Sequence, residues 1–180
     1  IGIPGSIDND IWGTSIAIGT DTAMNTIMDA VDKLRDTASS HQRAFLVETM
    51  GRNCGYLAVM AGIICGAEMV LVPEYPVEKQ EVAAAVEDAY RRGKTHAIII
   101  NAEGSGIRTT DLAQMIDAMD LGFNTRMTIL GHIQRGGSPT AYDRLLASRM
   151  GVKAVEALLE GTHGVMTGLN GKDIDFVPLN

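Results

Sequence analysis

Cysteine is scarce in this chain, with only two among 180 residues. Two cysteines cannot form the disulfide framework that stabilises many small secreted domains, and neither Cys54 nor Cys65 has a Cys or His partner nearby at the spacing of a metal site. We therefore expect both to be reduced thiols in the core of a cytoplasmic protein. No secretory signal is visible in the sequence.

Long hydrophobic runs are also missing. The longest run, residues 57–67, contains two glycines and falls well short of the ~20 residues that a membrane-spanning helix needs. The sequence contains no internal repeat or low-complexity segment. With 46% hydrophobic and 21% charged residues, the composition is typical of a soluble globular protein of about one domain.

Positive charge is scarce, since the chain has 15 basic residues and 22 acidic ones and its net charge is -7. This balance argues against a nonspecific nucleic-acid surface or an anionic-membrane surface. Ten of the basic residues are nevertheless arginine, which suits binding of planar anionic groups such as phosphate or carboxylate. The sequence therefore predicts a local site for an anionic ligand.

Hydrophobic patterning predicts alternating strands and helices. We expect strands over residues 1–4, 43–50, 69–73, 96–102 and 125–131, helices over 20–39, 53–67, 77–92, 110–119 and 139–160, and two short closing strands. Ser138 is the expected cap of the last helix, with Pro139 in its first position. This order indicates an α/β fold with a mainly parallel sheet, whose ligands gather at the carboxyl ends of the strands.

Polar residues and glycines follow these predicted strands. Asp8 and Asp10 follow the first strand, Arg52 the second and Glu103 the fourth, while His132 and Arg135 follow the fifth. Each residue taken alone has a structural explanation: Asp8-Asn9-Asp10 fits a simple turn, Arg52 a solvated loop, His132 a structural histidine and Glu103 a turn cap. Their joint placement at strand ends favours a ligand site.

Four distinctive segments occur in order along the chain: Pro-Gly-Ser-Ile-Asp-Asn-Asp-Ile at residues 4–11, Ser-His-Gln-Arg at 40–43, Met-Gly-Arg-Asn-Cys-Gly at 50–55 and Gly-His-Ile-Gln-Arg-Gly-Gly-Ser-Pro at 131–139. Together they resemble the 6-phosphofructokinase family, and the resemblance extends over essentially the whole chain. It implies a three-layer α/β/α fold. Judged against that family, the chain, which begins with Ile1 rather than Met, is expected to be a central and C-terminal fragment without the N-terminal nucleotide-binding loops.

The resemblance implies catalytic roles for residues of the first two loops. Asp8 is expected to be the general base that takes the proton from the 1-hydroxyl of fructose 6-phosphate. Ser6 resembles the residue beside the transferring phosphoryl group, and Asp10 a second carboxylate near Mg²⁺ or the sugar. Arg52 is expected to stabilise the phosphoryl group during transfer from ATP, which is mainly a matter of positioning and charge neutralisation.

The resemblance also implies how the sugar phosphate is bound. Contacts to the sugar are expected from Met50, Gly51 and Glu103, and contacts to the 6-phosphate from His132 and Arg135. In the family, arginines matching Arg43 and Arg126 reach into the site of the neighbouring subunit. These matches predict a homo-oligomer, in the family a tetramer, with shared active sites.

Gly5 bears on the phosphoryl donor. Relatives that use pyrophosphate carry lysine at the matching position, where it would fill the space of the inner phosphates of the nucleotide. Glycine leaves that space open, which favours ATP. Pyrophosphate dependence, or a non-catalytic relative that keeps the sugar-phosphate pocket, remains an alternative.

A second set of residues matches an effector site between subunits of bacterial relatives, which binds a nucleoside diphosphate or phosphoenolpyruvate. Its members in this chain are Arg35, Glu68, Arg92 and Lys94. The competing explanation is a solvated surface of mixed charge.

The resemblance further implies three regions. Residues 1–18 would end the nucleotide-binding domain and carry the catalytic loop, residues 19–137 would form the fructose 6-phosphate domain, and residues 138–180 would return toward the nucleotide-binding domain. Without the phosphate loops, we expect these 180 residues alone to lack kinase activity.

Overall fold

The computed structural model describes residues 1–38, 43–120 and 123–179. In chain order its elements are α1 (Thr20–Ala38), β1 (Arg43–Thr49), α2 (Tyr56–Cys65), β2 (Met69–Leu71), α3 (Lys79–Arg91), β3 (His96–Ala102), α4 (Thr109–Ala118), β4 (Asn124–Ile129), a 3₁₀ helix (Gly131–Arg135), α5 (Ala141–Leu159), β5 (Val165–Asn170) and β6 (Asp173–Pro178). The first three residues of the Ser-His-Gln-Arg motif, at 40–42, lie outside the described residues.

A parallel sheet of four strands, in the order β2-β3-β1-β4, organises the larger part of the molecule. β1 lies between β3 and β4, with Arg43 opposite His96 on one side and Asn124 on the other. Parallel pairing places the carboxyl ends of all four strands at one edge, where the loops after β1, β3 and β4 meet. The predicted α/β fold with a mainly parallel sheet is therefore confirmed.

Helices cover both faces of this sheet. On one face α1 and α2 pack against apolar side chains of β1 and β3, in a core that includes Ile27, Val31, Val47, Leu57 and Ile100. On the opposite face α3 and α4 pack against the alternate strand residues, in a core that includes Leu46, Val86, Ile99, Leu112 and Ile116. Each fully buried aliphatic side chain contributes about 1.5–3 kcal/mol. The arrangement has the predicted three layers.

The end of the chain forms a separate antiparallel hairpin, β5–β6. Leu146 and Met150 of α5 pack beneath it together with Leu169 of β5 and Ile16 and Ile18 of the first segment. The two predicted closing strands are thus confirmed. The unit ties the end of the chain to its beginning.

The strand predicted over residues 1–4 does not form. Gly2 makes only an isolated parallel bridge to Met166, and Gly5 another to Ile18. Pro4, between them, has no N–H to donate to a ladder, although its carbonyl accepts from Ile18 N at 3.0 Å. Pairing therefore stops after single residues.

Several predicted boundaries also move by a few residues. β4 is Asn124–Ile129 instead of 125–131, and Arg126 is its third residue. α2 begins at Tyr56 instead of Asn53, and the N–H of Gly55 just before it donates to the Glu74 carboxylate at 2.7 Å.

The predicted cap of α5 is wrong. The helix begins one residue after Thr140, whose hydroxyl oxygen accepts from Asp143 N at 3.2 Å, so Ser138 and Pro139 lie before the cap. The same hydroxyl donates to Asp21 Oδ2 at 2.6 Å, which joins the starts of α5 and α1. Thr140 is the better cap because it serves both helices.

Within the described ranges, no helix is both long and apolar enough to cross a membrane.

Candidate active site

The first loop presents its two carboxylates on either side of a left-handed turn. Asn9 has φ +56°, a conformation that asparagine adopts more readily than most residues. Its side-chain oxygen accepts from Ala17 N at 2.8 Å and its amide donates to Ser15 O at 3.2 Å. Asp8 and Asp10 are therefore attached to a turn that is held by its own central side chain.

Asp8 is the more buried of the two carboxylates. Its backbone N–H donates to Ser6 Oγ at 3.2 Å, while Oδ1 is buried and has no hydrogen-bond partner within the part of the chain that the structure describes. Burial, followed by the charge of Asp10, raises the pKa of Asp8 above 3.8, against the opposing pull of Arg52 and Arg135. A carboxylate in this state accepts a proton more readily than an exposed aspartate.

Arg52 stands on a second strained turn, after β1. Its φ is +49°, and Gly51 before it has φ +142°. A Cβ on Gly51 would fall well inside contact distance of Cys54 O, and a Cβ on Gly104 would do the same at Arg52 O. Gly51 is therefore required for the tight turn after β1, and Gly104 for the loop after β3 to approach that turn this closely.

Glu103 holds this turn in place. Its Oε1 accepts from the N–H groups of Gly51 and Arg52 at 3.2 and 2.9 Å, and its own N–H donates to Thr49 O at 2.9 Å. A carboxylate that accepts two backbone N–H groups stabilises the left-handed conformation of Arg52. Whether Glu103 also contacts the sugar stays a prediction.

The Gly-rich segment after β4 folds into the 3₁₀ helix rather than an open loop. Gln134, 1% exposed, is its anchor, because Oε1 accepts from Met50 N at 3.4 Å and Nε2 donates to Gly131 O at 3.1 Å. His132 and Arg135 remain exposed. The buried Gln134 thus anchors the 3₁₀ helix, and the helix exposes the side chains of His132 and Arg135.

These loops enclose a cleft of about 500 Å³. It is lined by Gly5, Ser6, Ile7, Asp8, Asp10, Ile18, Arg52 and Arg135. The structure therefore brings together all four residues predicted to be catalytic, the glycine predicted to select the donor and one predicted phosphate ligand. A Cβ on Gly5 would meet nothing within 4 Å, so the space beside it is open.

Other predicted ligands lie around or away from this cleft. Met50 and Gly51 are buried and are not among the residues that line it, and Glu103 and His132 lie on the loops after β3 and β4. Arg43 starts β1 at the opposite end of the sheet. β1 has seven residues, so its two ends lie roughly 20 Å apart.

The second predicted cluster also comes together. Glu68, whose side chain is 9% exposed, pairs with Arg92 at 3.1 Å and with Lys94 at 2.5 Å, and Arg35 donates to Cys65 O. Arg35, Glu68 and Lys94 line a cleft of about 410 Å³ with His96. Burial, together with the charges of Arg35 and Lys94, lowers the pKa of His96 below 6.5.

Metal-binding capacity in the described part of the chain is limited. No group of three or more His, Cys, Asp or Glu side chains there could hold an ion by itself. Mg²⁺ needs no such group, since it usually keeps waters and binds one or two carboxylates together with substrate phosphates. Asp8 and Asp10 of the cleft meet that lower requirement.

The family model described as Phosphofructokinase matches residues 1–158. The chain belongs to the phosphofructokinase family. It is 53% identical to the ATP-dependent 6-phosphofructokinase of Thermotoga neapolitana, over 99% of this chain and 56% of that protein. It is 55% identical to ATP-dependent 6-phosphofructokinase 1 of Clostridium perfringens, over 94% of this chain and 52% of that protein. The chain thus spans about half the length of the curated relatives it matches.

Solved phosphofructokinase structures agree with the fold. The structure of phosphofructokinase from Saccharomyces cerevisiae superposes with a TM-score of 0.92 at 40% identity, over 99% of this chain and 25% of that chain. A pyrophosphate-dependent phosphofructokinase from Marinobacter aquaeolei gives a TM-score of 0.83 at 20% identity, over 99% and 50%. The second likeness concerns the fold alone.

Three side chains that shape this phosphofructokinase site were not recognised from the sequence in the roles they play. The sequence predicts Asn9 only as part of a turn, and the bonds of Glu103 to the Arg52 backbone have no local sequence signal. Gln134 lies three residues after Gly131, whose carbonyl it binds, a spacing that suits a 3₁₀ turn. That spacing is the one signal that could have indicated an inward-facing glutamine.

Proposed function

We propose that the full-length protein containing this chain is an ATP-dependent 6-phosphofructokinase, a glycolytic kinase that converts fructose 6-phosphate to fructose 1,6-bisphosphate. The observation that carries the proposal is the cleft in which Asp8 shares its walls with Arg52 and Arg135. A half-buried base beside two guanidinium groups suits proton abstraction next to an anionic substrate. Relatives about half identical to this chain bear the same activity in their names.

In this reaction Asp8 takes the proton of the 1-hydroxyl while that oxygen forms a bond to the γ-phosphorus of ATP. The bond from the γ-phosphorus to the bridging oxygen of ADP breaks, and its electron pair leaves with ADP. Arg52 neutralises charge on the phosphoryl group in transit, and Ser6 lies beside it. These groups need no rearrangement if the two strained turns hold them beforehand.

Binding of the sugar phosphate falls to the remaining loops. Arg135 and His132 are proposed to hold the 6-phosphate through charge-assisted hydrogen bonds. The sugar is proposed to contact Met50, Gly51 and Glu103. The 3₁₀ helix supports this assignment because it places His132 and Arg135 on one short exposed segment.

Mg²⁺ is the proposed cofactor. It would supply positive charge to the phosphates of the nucleotide. Asp10, an exposed carboxylate of the cleft, is the residue proposed to hold it.

ATP is favoured over pyrophosphate because of Gly5. The open space at its Cβ leaves room for the inner phosphates of a nucleotide, whereas a lysine there would occupy it. Turnover of the full-length protein with each donor at equal concentration tests this choice. Activity with pyrophosphate and none with ATP would contradict this choice of donor.

The proposed assembly is a homotetramer whose active sites are shared between subunits. Arg43 supports this because it lies at the amino edge of the sheet, far from the cleft of its own subunit, and Arg126 lies on the neighbouring strand two residues further along. Their guanidinium groups are then available to the site of a partner subunit.

The cluster of Arg35, Glu68, Arg92 and Lys94 is proposed to bind an anionic effector. Arg35, Glu68 and Lys94 line one cleft, and Glu68 is ion-paired with both Lys94 and Arg92. Adding a nucleoside diphosphate should alter the activity of the full-length protein, and Lys94→Met should weaken that response. Equal responses of the wild-type and Lys94→Met proteins would contradict the assignment of this cluster as an effector site.

The proposed division of the chain follows its contacts. Residues 1–18 and 138–180 join through Gly2, Ser15 and β5, while residues 19–137 hold the parallel sheet.

The proposed location of the protein is the cytoplasm. Because the matched relatives are nearly twice as long, the 180 residues alone are proposed to be inactive, and ATP-dependent phosphorylation by them would contradict this.

The decisive experiment compares wild-type and Asp8→Asn full-length protein. Asparagine keeps the size of the side chain but cannot accept the hydroxyl proton, so we expect kcat to fall by about 10²–10⁴-fold and fructose 6-phosphate still to bind. Unchanged turnover would exclude Asp8 as the base. A wild-type protein that binds the sugar phosphate without turning it over would instead favour the non-catalytic alternative.

A further inference from the structure

The segment that carries the two carboxylates is anchored to the C-terminal hairpin before the turn begins. We call residues 3–14 the carboxylate loop. Just before it, Gly2 N donates to Val165 O at 2.8 Å and Gly2 O accepts from Thr167 N at 3.0 Å. The loop therefore leaves from strand β5.

The loop also returns to the same strand. Ser15 donates to Leu169 O through its N–H at 2.8 Å and through Oγ at 2.9 Å, and Leu169 N donates to Thr14 Oγ1 at 3.0 Å. Both ends of the carboxylate loop thus lie within five residues of each other on β5. An element that fixes both ends of a loop restricts its conformations.

Glycines allow the second contact to be this close. A Cβ on Gly168 would fall well inside contact distance of Gly13 O and 3.0 Å from Val177 Cγ2, and a Cβ on Gly13 would lie 2.5 Å from Val177 Cγ1. Any larger residue at position 168 must push the carboxylate loop away from the hairpin.

Asn9 connects this contact to the carboxylates. Its amide donates to Ser15 O, and its side-chain oxygen accepts from Ala17 N, on the segment that is docked against β5. Asn9 is the residue between Asp8 and Asp10, with φ +56°. A displacement of the docked segment therefore changes the direction in which the two carboxylates point.

We propose that Asn9 is a positioning residue for Asp8 and Asp10, and that the β5–β6 hairpin, through Thr14 and Gly168, keeps Asn9 in place. The hairpin lies beyond residues 1–158, which the family model matches. The inference rests on the proposed function, because it assigns the hairpin a part in the same site. It predicts losses in the rate of the chemical step from changes made outside the cleft.

The test uses three variants of the full-length protein, Asn9→Gly, Thr14→Val and Gly168→Ala, together with two control variants. Asn9→Gly keeps the left-handed backbone but removes both side-chain hydrogen bonds. We expect kcat to fall at least ~10-fold in Asn9→Gly, Thr14→Val and Gly168→Ala, because small misplacements of catalytic groups reduce rates strongly. KM for fructose 6-phosphate should change by less than ~3-fold, because Arg135 does not depend on the hairpin.

Two variants serve as controls. Thr14→Ser keeps the hydroxyl that binds Leu169 N and should retain wild-type kcat. Gly151→Ala makes the same chemical change as Gly168→Ala within α5, where a Cβ meets nothing within 4 Å, and should also leave kcat unchanged. Folding of every variant is checked by its thermal midpoint.

Among the kinetic results, a folded Asn9→Gly or Thr14→Val protein with kcat within twofold of wild type would overturn the proposal, and so would an equal loss in Thr14→Ser. Hydrogen exchange of residues 5–12 provides a readout that is independent of activity. It should speed up in Gly168→Ala and not in Gly151→Ala, even if the wild-type protein phosphorylates no sugar. Unchanged exchange in Gly168→Ala would contradict the hairpin's role, whereas absent activity alone would contradict only the proposed function.

Discussion

Several residues of the cleft occupy states that are unfavourable for stability. Asp8 keeps one carboxylate oxygen buried without a partner among the described residues, and Asn9 and Arg52 have positive φ. A non-glycine residue in such a conformation costs about 1–3 kcal/mol unless its surroundings compensate. Here the compensation comes from the side chain of Asn9 itself and from Glu103, so the site is held in its strained form before any ligand arrives.

The raised pKa of Asp8 leads to a prediction about stability. The native state binds the Asp8 proton more tightly than the unfolded state, so ionisation disfavours folding at every pH above the unfolded value of about 3.8. Below that value both states are protonated and the penalty disappears. We therefore expect Asp8→Asn to raise the thermal midpoint at pH 7.5, and we expect the gain to shrink as the pH is lowered toward 4.

Asp29→Asn provides the matched control. Asp29 is exposed and forms only a loose i,i+4 pair with Lys33 at 3.8 Å, so its replacement should change stability by less than ~0.5 kcal/mol at either pH. If Asp8→Asn lowers the midpoint at pH 7.5, the ionised carboxylate is stabilised by its surroundings and our account of its burial is wrong.

At the scale of elements, the start of α5 joins two helices through polar side chains. Asp143 is 1% exposed, and its carboxylate accepts from Gly19 N at 2.9 Å, Thr22 N at 2.8 Å and Thr22 Oγ1 at 2.5 Å. Thr140 adds the cap of α5 and a bond to Asp21. The buried Asp143 carboxylate thus accepts three hydrogen bonds at the start of α1, and these bonds fix α5 against α1.

Capping leads to a prediction that separates the observed cap from the one expected from sequence. Thr140→Ala removes a hydroxyl that both caps α5 and bonds Asp21, and should lower the free energy of unfolding by about 1–2 kcal/mol. Ser138→Ala should change it by less than ~0.5 kcal/mol. Urea unfolding of both variants measures the difference, and equal losses would restore Ser138 as a cap.

The same region illustrates what the sequence could predict. β3 was predicted with its observed bounds, because a continuous apolar run between turn residues has one plausible structure in a parallel sheet. The cap at Thr140 was missed because Ser138-Pro139 fits the local rule equally well, and the deciding contact, Asp21, lies 119 residues away. The bonds of Glu103 to Gly51 and Arg52, and that of Gln134 to Met50, are likewise long-range, so local sequence patterns could not indicate them.

For the whole molecule, the parallel sheet separates two groups of basic residues. Arg52 and Arg135 follow the carboxyl ends of β1 and β4, whereas Arg43 begins β1 at the other edge. A single subunit therefore cannot direct all of these side chains into one cleft. Strand direction therefore supports the proposal that a partner's arginines complete the site, because it keeps Arg43 away from the cleft of its own subunit.

Mixing subunits tests whether each active site combines residues from two subunits. Full-length Asp8→Asn and Arg126→Ala proteins should each be nearly inactive, but hybrids contain sites with an intact Asp8 from one subunit and an intact Arg126 from the other. If subunits assort at random, about a quarter of the sites recover, and activity should return after co-refolding. Asp8→Asn mixed with Arg52→Ala should recover nothing, since both residues belong to one subunit's cleft. No recovery in the first mixture would place Arg126 in its own subunit's site.

Trp12 is the chain's one tryptophan. It is 83% exposed and lies two residues after Asp10, where Gly13 docks against β6. An indole in that position is an optical probe that the protein already carries next to its proposed base. Its emission should resemble that of indole in water and should shift to shorter wavelength if anything covers the loop. Closure around a substrate, or contact with a neighbouring subunit, can then be followed in real time without attaching a label.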